Sequence, residues 1–380
     1  MKSSELLIFE GRVLFYPETG ESSLVGPGVL RNNVNGYINT MTRRSSSVTI
    51  RDVARQAEVS VATVSRYINQ NVPVSPEVAD RLDKVMAELR YVPHAAARHL
   101  ASRKTRVVGL LLNHMHNDFF VPLLKGVEAV VRQKGYNLIV ATYHKDIRDH
   151  MLPPIGPHNT DGLLVFSDGL IDQDLVALNS KGFPMVLVHR TPPPEIPIPS
   201  VTVENTEISR QLVGHLINVH GKRRILFLRG PIRQDDSIRR EMGYTCALEE
   251  NGIPLDENLI LNGDFDRDTA YAVMNEFLDS EKRVAFDAVF TGDDDAAIGA
   301  LKSLHEHGIP IPEEIAVVGF DDMGFAPFLN PPLTTVRAPT EEVGQRATEQ
   351  LFGLVENHPT NEVLILPTEI VFRRSCGCET

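Results

Sequence analysis

Apolar positions along the chain follow two rhythms that meet near Arg106. Between Thr49 and Leu89 they recur three and four residues apart in short blocks, the signature of amphipathic helices. Ile50, Val53, Ala54 and Ala57 share one face of the first block. Val64 and Ile68 share a face of the second, Val61 to Ile68. Val78, Leu82, Val85, Met86 and Leu89 share a face of the third. Start signals agree with this spacing. Thr49 with Asp52 three residues later resembles a capping box, Ser60 is a good N-cap, and Ser75-Pro76-Glu77 places a cap before a proline at the first helical position. Glu58-Val59 makes the turn. Two short helices joined by a tight turn, backed by a third, predict a helix-turn-helix unit that presents its second helix to a major groove.

From Arg106 onward, short apolar runs alternate with helical patterns, which predicts parallel sheets. The runs are Val107 to Leu112, Asn137 to Ala141, Gly162 to Phe166, Met185 to Val188, Ile225 to Leu228, Asp287 to Phe290 and Ile315 to Gly319. They supply strands for two doubly wound units. Between Tyr143 and Thr160, Pro153-Pro154-Ile155-Gly156-Pro157 stands where a crossover helix is expected, so one crossover is predicted to be short and irregular. The proline-rich stretch Thr191 to Pro199 reads as a rigid loop leading to a lobe crossover near Val203. Residues 1–46 show no sustained helical or strand period and are expected to be a disordered or non-native extension, with translation starting at Met41. Tyr91-Val92-Pro93 to Thr105 reads as a linker with a short Ala-rich helix, too short to persist alone in water.

Charge sharpens this division. The 380 residues carry a net −12, yet 12 Lys and Arg against 6 Asp and Glu lie between Arg43 and Arg106, leaving +6 there and −18 elsewhere. A basic unit on an acidic body fits phosphate binding by that unit alone. No apolar run approaches the roughly 20 residues that cross a bilayer, and no secretory leader is read, so a cytoplasmic location without membrane contact is expected. Cys246, Cys376 and Cys378 are too few for a disulfide framework. The Cys376-Gly377-Cys378 pair can bind a metal only with ligands from elsewhere, and it stays unassigned.

By chemistry, Arg66 suits a bidentate contact with a guanine edge, Val61 and Ala62 suit thymine methyls, and Thr63, Ser65 and Asn69 suit phosphates. The segment Val48-Thr-Ile-Arg-Asp-Val-Ala-Arg-Gln-Ala-Glu-Val-Ser-Val-Ala-Thr-Val-Ser-Arg66 closely resembles the headpiece of the lactose repressor and galactose repressor family. Met86-Ala-Glu-Leu-Arg-Tyr-Val-Pro93 and Ala95-Ala-Ala-Arg-His-Leu100 continue the resemblance into the family's hinge helix, and the body resembles its ligand-binding core. The fold it implies is a small all-α helix-turn-helix headpiece plus an α/β two-lobed core like a periplasmic binding protein, with two doubly wound parallel sheets. The implied boundaries are a headpiece over 47–92, hinge and linker over 93–105, a first lobe over 106–203 plus 335–366, and a second over 204–334 plus 367–376.

The resemblance further implies a regulator, not an enzyme, that binds double-stranded palindromic operator DNA and is controlled by a small molecule, a sugar or sugar derivative, with no cofactor and no metal. Val61, Ala62 and Arg66 would contact bases, with Thr49, Ser60, Thr63, Ser65 and Asn69 beside them; His94, Ala97 and Arg98 would bind from the hinge, and Leu100 would wedge into the minor groove. No C-terminal heptad pattern follows Arg373-Arg374-Ser375, so a homodimer is expected. Glu58 departs from the glycine usual at the family's turn. In the core, loops at the carboxyl ends of strands hold the candidates for effector binding Phe119, Phe120, His189, Phe265, Asp293 and Asp321, and the resemblance adds Arg240, because Arg239-Arg240-Glu-Met-Gly243-Tyr is similar to the family's arginine before a helix. His189 stands where the family often has an acid.

Other readings of these residues remain. Phe119 and Phe120 suit a core equally well, and at least one of Asp293, Asp294 and Asp295 serves a helix N-terminus. An enzyme holding a divalent metal on Asp293-Asp294-Asp295 and Asp321-Asp322 is the alternative of a different class, although no phosphate-cradling loop or activated nucleophile accompanies them. A transport binding protein leaves the basic headpiece unexplained. The wedge role has a direct consequence: Leu100→Ala is expected to weaken operator binding strongly and leave effector binding intact, and unchanged operator affinity in a gel-shift titration refutes it.

Overall fold

Leu6–Phe9 (β1) and Arg12–Phe15 (β2) pair antiparallel, Leu6 opposite Phe15. This corrects the expectation of no strand there, because runs of four residues are too short to display a period. The computed structural model describes residues 6–9, 12–15, 48–69, 73–91, 104–115, 117–143, 153–167, 169–194, 196–281, 283–358 and 360–379. The expected hinge, with His94, Ala97, Arg98 and Leu100, lies outside the described residues, as does the side chain of Asn69.

The headpiece holds α1 (Ile50–Gln56), α2 (Val61–Asn69) and α3 (Pro76–Glu88). Thr49 donates to the Asp52 carboxylate from both its backbone N–H (3.0 Å) and its hydroxyl (2.7 Å), starting α1. Ser60 Oγ accepts from the Thr63 N–H at 3.0 Å and starts α2. Ser75 precedes α3 in an extended conformation, and Pro76 pre-sets the first helical φ without any side-chain cap bond. Val53, Ala54, Ala57, Val64, Leu82 and Val85 are buried together, with Ile50, Ile68, Val78, Met86 and Leu89 packed around them. Between α1 and α2, Glu58 adopts φ 53°. A side chain in this left-handed conformation costs about 1 kcal/mol, so the turn keeps the geometry that glycine favours and tolerates the glutamate.

The core holds two six-stranded sheets. The first comprises β3 (Val107–Leu112), β4 (Asn137–Thr142), β5 (Gly162–Phe166), β6 (Met185–Val188), β7 (Ser200–Val203) and β13 (Val363–Leu366), all parallel, in the order β4-β3-β5-β6-β7-β13. The second comprises β8 (Ile225–Arg229), β9 (Ile260–Asn262), β10 (Ala288–Thr291), β11 (Ala316–Asp321), β12 (Thr334–Arg337) and β14 (Glu369–Val371), in the order β9-β8-β10-β11-β12-β14, with only the β14 edge antiparallel. Each lobe therefore reverses strand order beside its first strand, between β3 and β5 and between β8 and β10. Among the described residues 153–161, no helix forms in the β4–β5 crossover, and the buried Ile155 covers the sheet there instead.

Helices cover the sheets in packed pairs: α4 (Phe120–Gln133) with α10 (Thr340–Val355), α6 (Thr206–Asn218) with α7 (Asp235–Glu250), and α8 (Arg267–Asp279) with α9 (Asp294–Glu306). The remaining helix, α5 (Asp172–Asn179), inserts Leu175 beneath the first sheet. Among the described residues the chain passes between lobes after β7, after β12 and after β13. The second passage falls after Arg337, not at the expected 335, because Thr335, Val336 and Arg337 still pair with β11 before Ala338-Pro339 ends the strand.

The α4–α10 crossing depends on reciprocal glycines. A Cβ at Gly126 would lie 2.0 Å from the Glu341 carbonyl oxygen, and one at Gly344 would lie 2.4 Å from that of Leu123. Backbone stands against backbone, so added bulk must push the helices apart. Gly344→Leu is expected to destabilise the core by about 1–3 kcal/mol, read as a lower urea midpoint with helix content retained; an unchanged midpoint would show that the crossing yields freely.

Candidate functional site

Ligands of doubly wound sheets collect where strand order reverses, at the carboxyl ends of the strands. In the first lobe Phe166 ends β5, and it meets Phe119 and Phe120 edge-on with ring centroids 5.8 and 5.2 Å away. Phe120 is buried and Phe119 half-buried. In the second lobe, the Phe265 ring lies over the ends of β8 and β10. A Cβ at Gly230 would come within 2.2 Å of that ring and one at Gly292 within 2.7 Å, so a glycine directly after each strand seats it.

Arg240, only 2% exposed, is the hub of the second lobe's polar groups. It donates to Asn205 Oδ1 at 2.9 Å, to the Gly292 carbonyl, and to Asp321 Oδ1 at 3.2 Å. Its guanidinium also lies over the Phe320 ring, 3.5 Å from the centroid. One helical turn earlier on α7, Asp236 reaches across to the first lobe, where its carboxylate is 2.8 Å from His189 Nδ1, while Asn205 donates to its other oxygen at 2.9 Å. His189 is fully buried at φ 53°, between Phe119 and Phe166. The following residues add a rim contact: the Thr191 N–H donates to Asp235 Oδ2 at 2.7 Å, and Arg239 donates to the Thr191 hydroxyl at 2.8 Å. The first turns of α7 thus grip the loop after β6.

Burial raises the Asp321 carboxyl above its ordinary range against the pull of Arg240. Burial likewise drives Asp293 well up, reinforced by the charge of Asp321. Burial would raise Asp236 too, but the His189 charge and hydrogen bond, with Arg240, outweigh it and hold this carboxyl low. The neighbouring acids have other duties. Asp293 caps α9 by accepting from the Ala296 N–H at 2.8 Å. Asp294 accepts from the Met323 N–H (2.8 Å) and the Thr335 hydroxyl (2.6 Å), and Asp295 accepts from the Arg267 N–H at 2.9 Å. Asp322 pairs with Arg337 and Arg373. These bonds occupy much of the acceptor capacity of the acidic cluster.

Phe119, Phe120, Arg240, Phe265, Asp293 and Asp321 line one cavity of about 40 Å³, with His189 directly behind Phe119 and Phe166. Asn117 also lines it. Two buried polar atoms, His189 Nε2 and Asn117 Oδ1, find no hydrogen-bond partner among the described residues. Such atoms mark places where a ligand's polar groups belong. The cavity holds about one water molecule, so a larger ligand requires the lobes to part. Phe119 and Asp321 also border an open groove of about 1010 Å³.

Sequence reasoning missed Phe166, Asp236 and Asn205. Phe166 carried a signal, as the last residue of a strand at the order reversal, and Asp236 stands four residues before Arg240 on one helix face. Asn205 carried none, since its role depends on two partners 31 and 35 residues away.

On the headpiece, Val61 (43% exposed), Ala62 and Arg66 stand outward on α2, whereas Thr63 and Ser65 are half-buried. The Thr63 and Ser60 hydroxyls bond each other at 2.8 Å, and the Thr49 hydroxyl gives its proton to Asp52. These hydroxyls serve the helix starts first and retain only part of their capacity for another partner.

A family model described as bacterial regulatory proteins, lacI family, matches residues 49–94, and one for a periplasmic binding protein-like domain matches residues 213–376. Over 305 residues the chain is 36% identical to the HTH-type transcriptional regulator GalS of Salmonella typhimurium, covering 80% of this chain and 88% of that one. It resembles the structure of the transcriptional regulator CelR in complex with cellobiose, with TM-score 0.63 and 31% identity over 86% of this chain and 99% of that one. It also resembles the lac repressor dimer bound to operator and the anti-inducer ONPF, with TM-score 0.71 and 25% identity over 87% and 99%. Among the described residues no helix is long and apolar enough to cross a membrane.

The raised Asp293 carboxyl fixes the sign of a pH effect. Above the ordinary aspartate value the unfolded chain has lost this proton while the folded protein keeps it, so the wild type loses stability as pH rises toward the folded value. Asp293→Asn caps a helix equally well and does not titrate. Its stability relative to wild type is expected to grow from about pH 4 upward, by up to about 1.4 kcal/mol per pH unit. Urea unfolding across about pH 4 to 8 measures this; a gap that stays flat or narrows contradicts it.

Proposed function

This chain belongs to the lacI family of bacterial regulatory proteins, and on that premise we propose that it represses transcription as a homodimer on a palindromic operator, under control of a sugar or sugar derivative bound between its lobes. It is a DNA-binding regulator, not an enzyme. The observation that carries the effector reading is the cleft itself, in which aromatic rings from both lobes stand with the unpartnered Asn117 Oδ1 beside Arg240, Asp293 and Asp321, and the unpartnered His189 Nε2 lies behind Phe119 and Phe166. Flat apolar faces with a few converging donors and acceptors suit the ring and hydroxyls of a sugar. The cellobiose and ONPF held by the two similar structures support the same chemical class here.

In this reading Phe119, Phe120, His189, Arg240, Phe265, Asp293 and Asp321 contact or frame the effector. Arg66, Val61 and Ala62 read base edges, and Thr49, Ser60, Thr63, Ser65 and Asn69 hold the backbone. The segment 93–105, with His94, Ala97, Arg98 and Leu100, orders between paired headpieces when the lobes set the correct spacing, so that effector binding acts on DNA through an order–disorder step. The headpiece takes 47–92, the lobes divide near residues 204 and 338, and the protein works in the cytoplasm.

Selection from a random DNA pool by the full-length protein is expected to return a palindrome. Arg66→Ala should lower affinity for it by about 1–3 kcal/mol and relax the choice at one guanine. A thermal-shift screen over sugars, sugar phosphates and nucleobases should raise the wild-type melting temperature with a member of the sugar classes. A response confined to nucleobases overturns the effector class, and selection without a palindrome overturns the dimeric operator.

A further inference from the structure

At the end of the second lobe away from the cleft, four side chains from two distant parts of the chain converge. His215 lies in the last turn of α6 and His220 just beyond it, while Cys376 and Cys378 come from the tail that closes on the β11–β12 edge. Their ligating atoms all lie within 4.8 Å of one another. Cys378 Sγ is 3.5 Å from both His215 Nε2 and His220 Nε2, the two Nε2 atoms are 3.0 Å apart, and Cys376 Sγ is 4.0 Å from His215 Nε2. A tetrahedral zinc ion with bonds of about 2.0 Å to nitrogen and about 2.3 Å to sulfur spaces its ligands roughly 3.3–3.8 Å apart. The four atoms are already near the corners of that tetrahedron.

We propose that His215, His220, Cys376 and Cys378 form a Cys2His2 site for a zinc-type divalent cation that staples the C-terminal tail to α6. The donor set selects for such an ion, since two thiolates and two imidazoles suit a borderline-soft metal and not magnesium or calcium. Two thiolates balance the charge of a divalent ion, and each thiol releases its proton on binding.

The surroundings are built for this. Gly377 adopts φ 104°, and a Cβ there would stand 3.1 Å from the His220 ring, so the residue between the cysteines must be small and left-handed to bring both sulfurs to the histidines. The Thr334 hydroxyl donates to the Arg373 carbonyl at 2.8 Å and stands 3.1 Å from Cys376 Sγ, which fixes the turn that carries this sulfur. Ser375 ties the same turn to the sheet, donating to the Val317 carbonyl at 2.6 Å and accepting from the Thr334 N–H at 2.8 Å. Phe372 packs on His215 with ring centroids 4.4 Å apart. Cys376 is buried, whereas Cys378 borders an open groove of about 560 Å³ that provides an entry path. The site lies beside the amino-terminal ends of the strands, remote from the effector cleft, so a staple and not an effector sensor fits its place.

The test is titration of reduced, metal-free, full-length protein with cobalt(II), followed by zinc(II). One cobalt per chain is expected to give the intense visible bands of a tetrahedral site together with thiolate-to-cobalt charge transfer, both bleached by zinc, and zinc should raise the melting temperature. Cys378→Ser and, separately, His220→Gln are expected to lower cobalt affinity by at least about tenfold. The wild-type spectrum alone decides first: no uptake, or the weak spectrum of octahedral cobalt, overturns the site. Tetrahedral binding unchanged in both variants, with their fold checked by circular dichroism, places the metal elsewhere and also overturns it.

Discussion

The buried pairing of His189 with Asp236 across the lobe boundary is the constraint around which the core is arranged. Asp236 and Asp321 lie within a region almost closed to water, against the cation of Arg240 and the imidazole of His189. Ions removed from water cost several kcal/mol each unless their partners are well placed. The lobes can therefore close only where the hydrogen bonds of Asp236 with His189 and of Thr191 with Asp235 form across the boundary. Closure without those contacts would leave charges stranded, which makes the closed arrangement a discrete state and not one point along a continuous motion.

That discreteness is what a regulator requires. A ligand shifts an equilibrium only by the difference between its affinities for two states. Here the cavity of the closed form is far smaller than a sugar, so a ligand must select an arrangement in which His189 Nε2 and Asn117 Oδ1 face it and the lobes stand farther apart. The headpiece has no comparable bistability of its own. Its three helices close on a single apolar cluster, and even the unfavourable backbone of Glu58 is held in place.

Much of this was legible in the sequence, for reasons of range. Strands buried on both faces read as continuous apolar runs, so Gly162–Phe166 and Met185–Val188 appear with their bounds. The helix starts at Thr49 and Ser60 depend on neighbours three residues away. Strand carboxyl ends pointed toward Phe119, Phe265, Asp293 and Asp321, which line one cavity, and the family resemblance alone pointed toward Arg240. What stayed hidden depends on contacts between remote parts of the chain. Asn205 is an unremarkable polar residue until Asp236 and Arg240 flank it, and the two C-terminal cysteines have no evident role until α6 brings its histidines. The passage between lobes was misplaced because β12 ends on pairing with β11, which local pattern does not contain.

The seat of Phe265 on Gly230 and Gly292 carries a consequence for the depth of this cleft. Because the ring rests on bare backbone, its removal disturbs no packed side chain beneath it. A smaller residue at that one position would deepen the pocket by the thickness of an aromatic ring and bare the Arg240 guanidinium, which lies over that ring 5.3 Å from its centroid. Pocket depth and the exposure of its buried cation are thus set together by one side chain.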